Sequence, residues 1–321
     1  MTSAAPAKAL KLAHVSDLHI LHIEGVKPWR YLGKRLTGGA NLMMKRKKSH
    51  SHQVVVDAFA QIRAMDVDHI MVTGDLSNLA LESEFDAGRR TLEAHAGGPQ
   101  TVSVIPGNHD YYTLNSVRTA RFESFFSPWM QSDIPVEDGK VYPYVKLLGD
   151  HAAIVGINSC IPSPPLFAVG KVGKAQRQRL QRLLQHPQLQ GRFIVAMLHH
   201  HLEQPKVSKP RTEFLRHLRD QPQVKALLLE SGVDLVVHGH NHQHHFSAHP
   251  NAKGQTTHIC EAGSTSVAQH HNPHFGGKFN IYDLVPTQDG QGLRLGHVST
   301  YLCAGEHKGF ELWWEKSLVD A

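Results

Sequence analysis

The chain contains 321 residues, of which 40% are hydrophobic and 19% are charged, so it is long enough for one large α/β domain or two smaller ones. Its formal net charge of +6 suits an anionic substrate without identifying one. No apolar run approaches the ~18 residues that a membrane-spanning helix needs, and the N-terminus does not resemble a secretory signal, so we expect a soluble, cytoplasmic protein.

Short apolar strands alternate with helical segments along most of the chain. The predicted strands lie near residues 10–16, 69–73, 101–105, 152–157, 192–198, 234–238, 256–261 and 278–285. The predicted helices cover residues 51–65, 82–96, 115–126, 171–185 and 222–231. The early alternation is typical of parallel βαβ units, whereas the strands after residue 255 follow one another as in an antiparallel meander. This pattern predicts one mixed α/β domain over residues 10–300, followed by a C-terminal tail at 301–321.

An insertion-like segment occupies residues 22–50, between the first strand and the first predicted helix. Its apolar residues, from Trp29 to Met43, recur at roughly helical intervals, and it closes with a basic run at 45–48. Two interpretations stay open for it. It is either a solvated helix and loop, or a lid or docking surface for an acidic partner or for peripheral contact with a membrane.

Five predicted strands run directly into side chains that can bind metal ions. The sequences at these points are LAHVSDLH, HIMVTGDLSN, TVSVIPGNHD, FIVAMLHHH and DLVVHGHNH. In open α/β sheets, ligands bind beyond the carboxyl ends of the strands, because the loops converge there. We therefore expect these side chains to share one site.

The donors at these strand ends are carboxylates, an amide and imidazoles. Asp17 and His19 are two positions apart, so in an extended segment their side chains leave the same side of the backbone. Gly74 lets the chain turn closely before Asp75, whose two carboxylate oxygens could each serve one of two cations, which makes Asp75 the expected bridge. The other candidate ligands are Asn108, His199, His240 and His242. Mixed nitrogen and oxygen ligation favours manganese, iron, zinc or cobalt over dedicated calcium or magnesium sites.

Most of the histidines and all three cysteines are not candidate ligands. The chain has 26 histidines, and of the five between residues 238 and 245 only His240 and His242 have the spacing of ligands after a strand. The three cysteines are widely spaced without a C-x-x-C pair, which argues against a disulfide framework and against a thiolate zinc site.

Taken in order, these motifs resemble the metallophosphoesterases, the calcineurin-like phosphoesterase superfamily. The matching residues are Asp17-x-His19, Gly74-Asp75-x-x-Asn78, Gly107-Asn108-His109-Asp110, His199 and Gly239-His240-Asn241-His242. Each motif alone is weak, but five in order, each after an apolar strand, are strong together. The subgroup looks like the bacterial cyclic-nucleotide phosphodiesterase branch. That branch follows its histidine pair with prolines whereas this chain reads HHHLEQP, which leaves open whether His199 or His200 is the ligand.

The resemblance implies a four-layer α/β/β/α sandwich with two mixed β-sheets and a centre of two divalent or mixed-valence metal ions, which are manganese, iron or zinc. It implies that one ion is held by Asp17, His19, Asp75 and His242, and the other by Asp75, Asn108, His199 and His240. His109, backed by Asp110, is then expected to protonate the leaving group or to stabilise the transition state.

The leading functional hypothesis is a dimetal phosphodiesterase that uses a metal-bridging hydroxide. The alternatives are a phosphomonoesterase, a pyrophosphohydrolase acting on a nucleotide-linked lipid, and an inactive scaffold. A histidine-rich metal buffer is disfavoured, because the candidate ligands spread from residue 17 to residue 242. The expected partner is a small phosphoester, nucleotide or lipid-linked. Stable nucleic-acid binding is not expected, because the basic residues at 171–182 do not share one face and lack interleaved aromatic residues.

Overall fold

The computed structural model describes residues 6–26, 50–203, 213–268 and 272–319. Within these ranges it contains two six-stranded sheets. The strands are β1 (Leu10–Val15), β2 (His69–Val72), β3 (Val102–Val104), β4 (Tyr144–Leu148), β5 (Ala152–Gly156), β6 (Phe193–Met197), β7 (Leu235–His238), β8 (His245–Pro250), β9 (Thr256–Glu261), β10 (Lys278–Pro286), β11 (Leu293–Gly305) and β12 (Gly309–Ser317). The helices are α1 (His52–Ala64), α2 (Glu82–Thr91), α3 (Leu114–Arg118), α4 (Arg121–Phe126), α5 (Lys174–Leu184) and α6 (Gln221–Glu230).

Both sheets combine a parallel set with antiparallel strands. The first has the order β12-β11-β10-β1-β2-β3, in which β1, β2 and β3 are parallel and β10 to β12 form an antiparallel meander. The second has the order β4-β5-β6-β7-β9-β8, in which β5, β6, β7 and β9 are parallel and the edge strands β4 and β8 are antiparallel to their neighbours. The loops that follow the parallel strands carry the candidate ligands.

Alternation along the strands of the second sheet separates two apolar layers. Val195 on β6 joins the large core that includes the first sheet, whereas the adjacent Ile194 packs with Leu180 of α5 and Val224 of α6. Helix α1 contacts β12 of the first sheet and buries Phe59 in the large core. Successive strand residues point to opposite faces, so each sheet has one face toward the other sheet and one toward helices. The predicted four-layer arrangement with two mixed sheets is confirmed.

The eight predicted strands occur within two residues of their predicted bounds, but the chain after residue 255 differs from the prediction. β9 pairs in parallel with β7 in the second sheet, so the meander consists of β10, β11 and β12 alone. The predicted boundary at residue 300 falls inside β11, and β12 pairs with that strand, so residues 301–317 are part of the first sheet and not a tail. Four of the described strands, β4, β8, β11 and β12, were not predicted.

Most of the basic insertion, residues 27–49, lies outside the described residues. The helix predicted at 115–126 is broken into α3 and α4 at Ala120, which has a left-handed φ of 45°. Among the described residues, no helix is long and apolar enough to cross a membrane.

Candidate metal centre

The loops after β1 and β2 are joined by backbone hydrogen bonds. The N–H of Asp17 donates to the carbonyl of Gly74 over 3.0 Å, and the N–H of His19 donates to that of Asp75 over 2.8 Å. Asp17 and His19 were expected in an extended segment, but their φ values are 54° and 46°. Their side chains therefore share a site because the backbone turns left-handed at both residues.

Left-handed backbone recurs at the other candidate ligands. Asp75, His240 and His242 have φ values of 53°, 81° and 56°. Positive φ is uncommon for residues that carry a Cβ, and such strained residues cluster at functional sites. The surrounding fold holds these turns in place, so strain coincides with the side chains that the sequence singled out.

Two glycines allow the loops to approach one another. Gly74 has a φ of 88°, and a Cβ there would overlap the backbone of Gly107. A Cβ at Gly239 would overlap the side chains of Ser16 and Asp17. Larger residues at either position would push the strand ends apart.

One half of the site, the Asp17 half-site, consists of donors from the loops after β1, β2 and β7. Oδ1 of Asp17 lies 3.0 Å from Nε2 of His242 and 3.9 Å from Nε2 of His19. The two imidazole nitrogens are 3.3 Å apart, and Oδ2 of Asp75 lies 4.0 Å from Nε2 of His19. Burial alone would raise the pKa of Asp17, but His242, with His199 and Ser16, holds it below its usual value. Asp17 is therefore an ionised ligand candidate.

The other half, the His199 half-site, consists of donors from the loops after β2, β3, β6 and β7. Nε2 of His199 lies 3.1 Å from Oδ1 of Asn108 and 3.2 Å from Nδ1 of His240. Oδ1 of Asn108 lies 2.9 Å from the same nitrogen of His240. Oδ2 of Asp75 is 3.6 Å from Nε2 of His199. Four donors thus converge here as well.

Asp75 lies between the two half-sites. Its Oδ2 faces His19 on one side and His199 on the other, at 4.0 and 3.6 Å. Its Oδ1 accepts a hydrogen bond from the backbone N–H of His109 over 2.7 Å. We expected each carboxylate oxygen of Asp75 to face one cation. In the structure Oδ2 alone faces both half-sites, because Oδ1 is taken up by the hydrogen bond from His109.

Carbonyl groups fix the tautomers of two candidate ligands. Nδ1 of His199 donates to the carbonyl of Thr73 over 2.7 Å, and Nε2 of His240 donates to the carbonyl of Arg216 over 2.9 Å. Burial lowers the pKa of both imidazoles, so both are neutral and the other ring nitrogen of each carries a lone pair. His200 instead directs its two nitrogens to Ser159 Oγ and the Ala168 carbonyl, at 2.8 and 3.1 Å. The structure therefore directs His199, and not His200, at the other donors.

The donor set fits a bound cation. In the His199 half-site, the lone pairs of His199 and His240 and the amide oxygen of Asn108 converge within 3.2 Å, and all three are acceptors. In the Asp17 half-site, the buried Oδ1 of Asp17 has Nε2 of His242 at 3.0 Å as its nearest polar neighbour among the described residues, in a geometry that does not make a regular hydrogen bond. Burying hydrogen-bond acceptors that receive no hydrogen bond costs free energy, and a bound metal ion removes this cost by accepting their lone pairs.

His109 lies beside the donors, and Asp110 does not support it as expected. Nδ1 of His109 donates to the carbonyl of Asn78 over 2.7 Å, and its ring packs edge-on to that of His19 at 5.2 Å. The Asp110 carboxylate accepts instead from the backbone N–H groups of Leu76, Ser77 and Gly107, at 3.2, 2.9 and 2.9 Å. The predicted backing of His109 by Asp110 is therefore wrong, because Asp110 ties the loop after β2 to the loop after β3.

Several supporting groups escaped the sequence analysis. Glu84 accepts backbone N–H bonds from Asn78, Leu79 and Leu81 and so shapes the turn whose carbonyl holds His109. Burial raises the pKa of Glu84 to about 7. The carbonyls of Asn78 and Arg216 carry no side-chain signature, so only the fold reveals them.

The family model for calcineurin-like phosphoesterases matches residues 10–244. The chain belongs to the calcineurin-like phosphoesterase family. This phosphoesterase has no significant match among curated proteins. It is similar to a dimetal phosphatase from Danio rerio, with a TM-score of 0.57 and 14% identity over 98% of this chain and 99% of that chain. It is also similar to purple acid phosphatase PPD1 from yellow lupin (Lupinus luteus) seeds, with a TM-score of 0.57 and 10% identity over 96% of this chain and 53% of that chain.

At these identities the two structures show a shared fold. Family membership makes this phosphoesterase a hydrolase that acts on phosphoester bonds and implies a dimetal centre. Asp17, Asp75 and His199 have ligand atoms within 4.8 Å of one another, a spacing that suits metal binding.

Proposed function

We propose that this phosphoesterase is a phosphodiesterase whose two metal ions, of manganese, iron or zinc, are held on either side of Asp75. The observation that carries the proposal is the position of Asp75 Oδ2 between His19 and His199. The ligands of one ion are Asp17, His19, Asp75 and His242, and those of the other are Asp75, Asn108, His199 and His240. When bound, the ions supply an activated water and neutralise phosphate oxygens during attack on phosphorus.

His109 is proposed to deliver a proton to the leaving oxygen. Its Nδ1–H is held by the Asn78 carbonyl, so the proton that the ring can transfer is the one at Nε2. The contact between its ring and that of His19 places it at the edge of the Asp17 half-site. The backbone N–H of His109 donates to Asp75, so His109 orients this carboxylate and its side chain serves as the general acid.

Two exposed apolar side chains support a diester over a monoester. Leu166 and Phe214 are 83% and 67% exposed. They lie two residues along the chain from Ala168 and Arg216, whose carbonyls accept hydrogen bonds from His200 and His240. A phosphodiester carries two organic groups, and we infer that these side chains offer apolar contact to one of them, such as an aryl group, a nucleobase or a lipid chain.

The proposal is tested by an activity panel on metal-loaded protein. Aryl phosphodiesters, aryl phosphomonoesters, cyclic nucleotides and nucleotide-diphosphate lipids are compared, and aryl diesters should have the highest kcat/KM. Phe214→Ser should raise KM for aryl diesters, whereas Leu312→Ser, at a 50% exposed residue on β12, serves as the matched control. Faster turnover of monoesters than of diesters would contradict the proposal, and inactivity on every substrate would favour the scaffold.

The second candidate is a phosphomonoesterase. This candidate is favoured because the two similar structures are those of proteins described as a dimetal phosphatase and a purple acid phosphatase. The resemblance to the cyclic-nucleotide branch, the nucleotide-linked lipid substrate and the membrane contact through residues 22–50 stay predictions. The panel tests the two that concern substrate.

A further inference from the structure

His50 lies against the Asp17 half-site, although no motif pointed to it. Its ring is 4.6 Å from that of His19 and 5.9 Å from that of His242. One ring nitrogen of each of these three histidines lies within 4.8 Å of the other two, which is close enough for all three to bind one ion. His50 is half-buried at the point where the chain enters α1.

The backbone around His50 is held by the segment that also supports Asp17. His50 forms an isolated antiparallel bridge with Val267, and the N–H of Ser51 donates to the carbonyl of Ser266 over 2.8 Å. The hydroxyl of Ser266 donates to the carbonyl of Asp17 over 2.9 Å. His50 and the first metal-binding loop are therefore fixed to one another through the same serine.

The contact with Ser266 orients the ring of His50. Nδ1 of His50 lies 2.7 Å from Oγ of Ser266, and that hydroxyl lies 2.9 Å from the Asp17 carbonyl, which also accepts from the Ser264 hydroxyl over 2.8 Å. When Ser266 donates to this carbonyl, Nδ1 of His50 is the donor to Ser266 and Nε2 carries the lone pair. A hydrogen bond at one ring nitrogen that leaves the other as an electron-pair donor is the usual arrangement of a metal-bound histidine.

We propose that His50 is a further metal ligand of the Asp17 half-site. The inference rests on the proposed two-metal function and adds a third imidazole to His19 and His242. Three nitrogens with carboxylate oxygens favour ions such as Zn²⁺ or Co²⁺ over Mn²⁺ or Mg²⁺, which prefer oxygen-rich sites. The His199 half-site, with two imidazoles and an amide oxygen, is then the less nitrogen-rich of the two.

The test is a Co²⁺ titration of the metal-free full-length protein, monitored by isothermal titration calorimetry and by visible absorption. The wild type should bind two equivalents. His50→Ala should still bind two, but one of them at least about tenfold more weakly and with an altered absorption band. The same variant should lose less affinity for Mn²⁺ than for Co²⁺, because imidazole contributes less to Mn²⁺ binding. His52→Ala is the matched control, since it removes an imidazole two residues away whose Nε2 contacts Thr91 Oγ1 at 2.9 Å.

The outcomes separate this inference from the proposed function. A two-ion wild type together with a His50→Ala variant of unchanged affinity and absorption would overturn the role of His50 alone. Equal weakening of both equivalents would overturn its assignment to the Asp17 half-site. Fewer than two equivalents in the wild type would overturn the proposed function and this inference with it. If His50→Ala does not fold, His50→Gln gives the same comparison, because its amide can still donate to Ser266.

Discussion

Replacing His109 by alanine separates proton delivery from metal binding. The imidazole lies beside the donor cluster, with Nδ1 on the Asn78 carbonyl at 2.7 Å and its ring stacked on that of Tyr112 at 5.6 Å. The contact that orients Asp75 comes from the backbone N–H of residue 109, which alanine retains. His109→Ala should therefore still bind two metal ions.

The expected loss of rate depends on the leaving group. A positioned general acid contributes about 10²- to 10⁴-fold, which corresponds to about 2.7–5.4 kcal/mol of activation free energy. The full loss applies to diesters with an alkoxide leaving group, which needs a proton as it departs. A nitrophenolate leaves without one, so the variant should be close to the wild type on nitrophenyl diesters.

The assay measures kcat for diesters with leaving groups of increasing pKa, alongside the metal content of each preparation. His52→Ala controls for loss of an imidazole away from the centre, since its ring contacts Thr91. A variant that cleaves alkyl diesters at the wild-type rate would remove His109 from the mechanism. Loss of bound metal would show that its role is structural.

Two further predictions concern the groups that support the centre. Burial raises the pKa of Glu84 from 4.5 to about 7, so the folded chain favours its protonated form and the metal-free protein should lose stability as pH rises from about 4.5 to 7. Glu84→Gln should flatten this dependence by up to about 3 kcal/mol in urea unfolding, and parallel profiles for variant and wild type would contradict the assignment. Gly239→Ala should destabilise the protein by about 1–3 kcal/mol, because the added methyl overlaps the Asp17 carboxylate. The control Gly98→Ala has open space at its Cβ and should change stability by less than about 0.5 kcal/mol. Equal effects of the two variants in thermal unfolding would count against the close approach of Gly239 to Asp17.

The parallel strands could be predicted from the sequence because their apolar runs are short, buried and bounded by turn residues. β8 could not, because none of its six residues is buried, Ala248 and Pro250 are exposed, and His245 and His249 interrupt its apolar residues. The sheet to which β9 belongs was also beyond prediction, since pairing with β7 or with β10 leaves the same pattern along the strand. Periodicity reports which face is buried but not which neighbour provides the burial.

The candidate ligands could be predicted because each follows a strand whose end lies at the same edge of the fold. Their backbone conformations could not be predicted, since Asp17 and His19 were expected in an extended segment but adopt left-handed φ values. His50 was missed because it follows no strand and approaches through a bridge to Val267. Asp110 was misjudged because proximity in sequence to His109 suggested a contact that its hydrogen bonds to Ser77 and Gly107 replace.

The central claim is that two cations share the carboxylate of Asp75. The most direct test is the number of tightly bound metal ions per chain, measured by elemental analysis after exhaustive dialysis, in the wild type and in Asp75→Asn. The claim predicts two ions in the wild type and one or none in the variant, because the amide replaces the charged oxygen that lies between His19 and His199. Two ions retained by Asp75→Asn would contradict it.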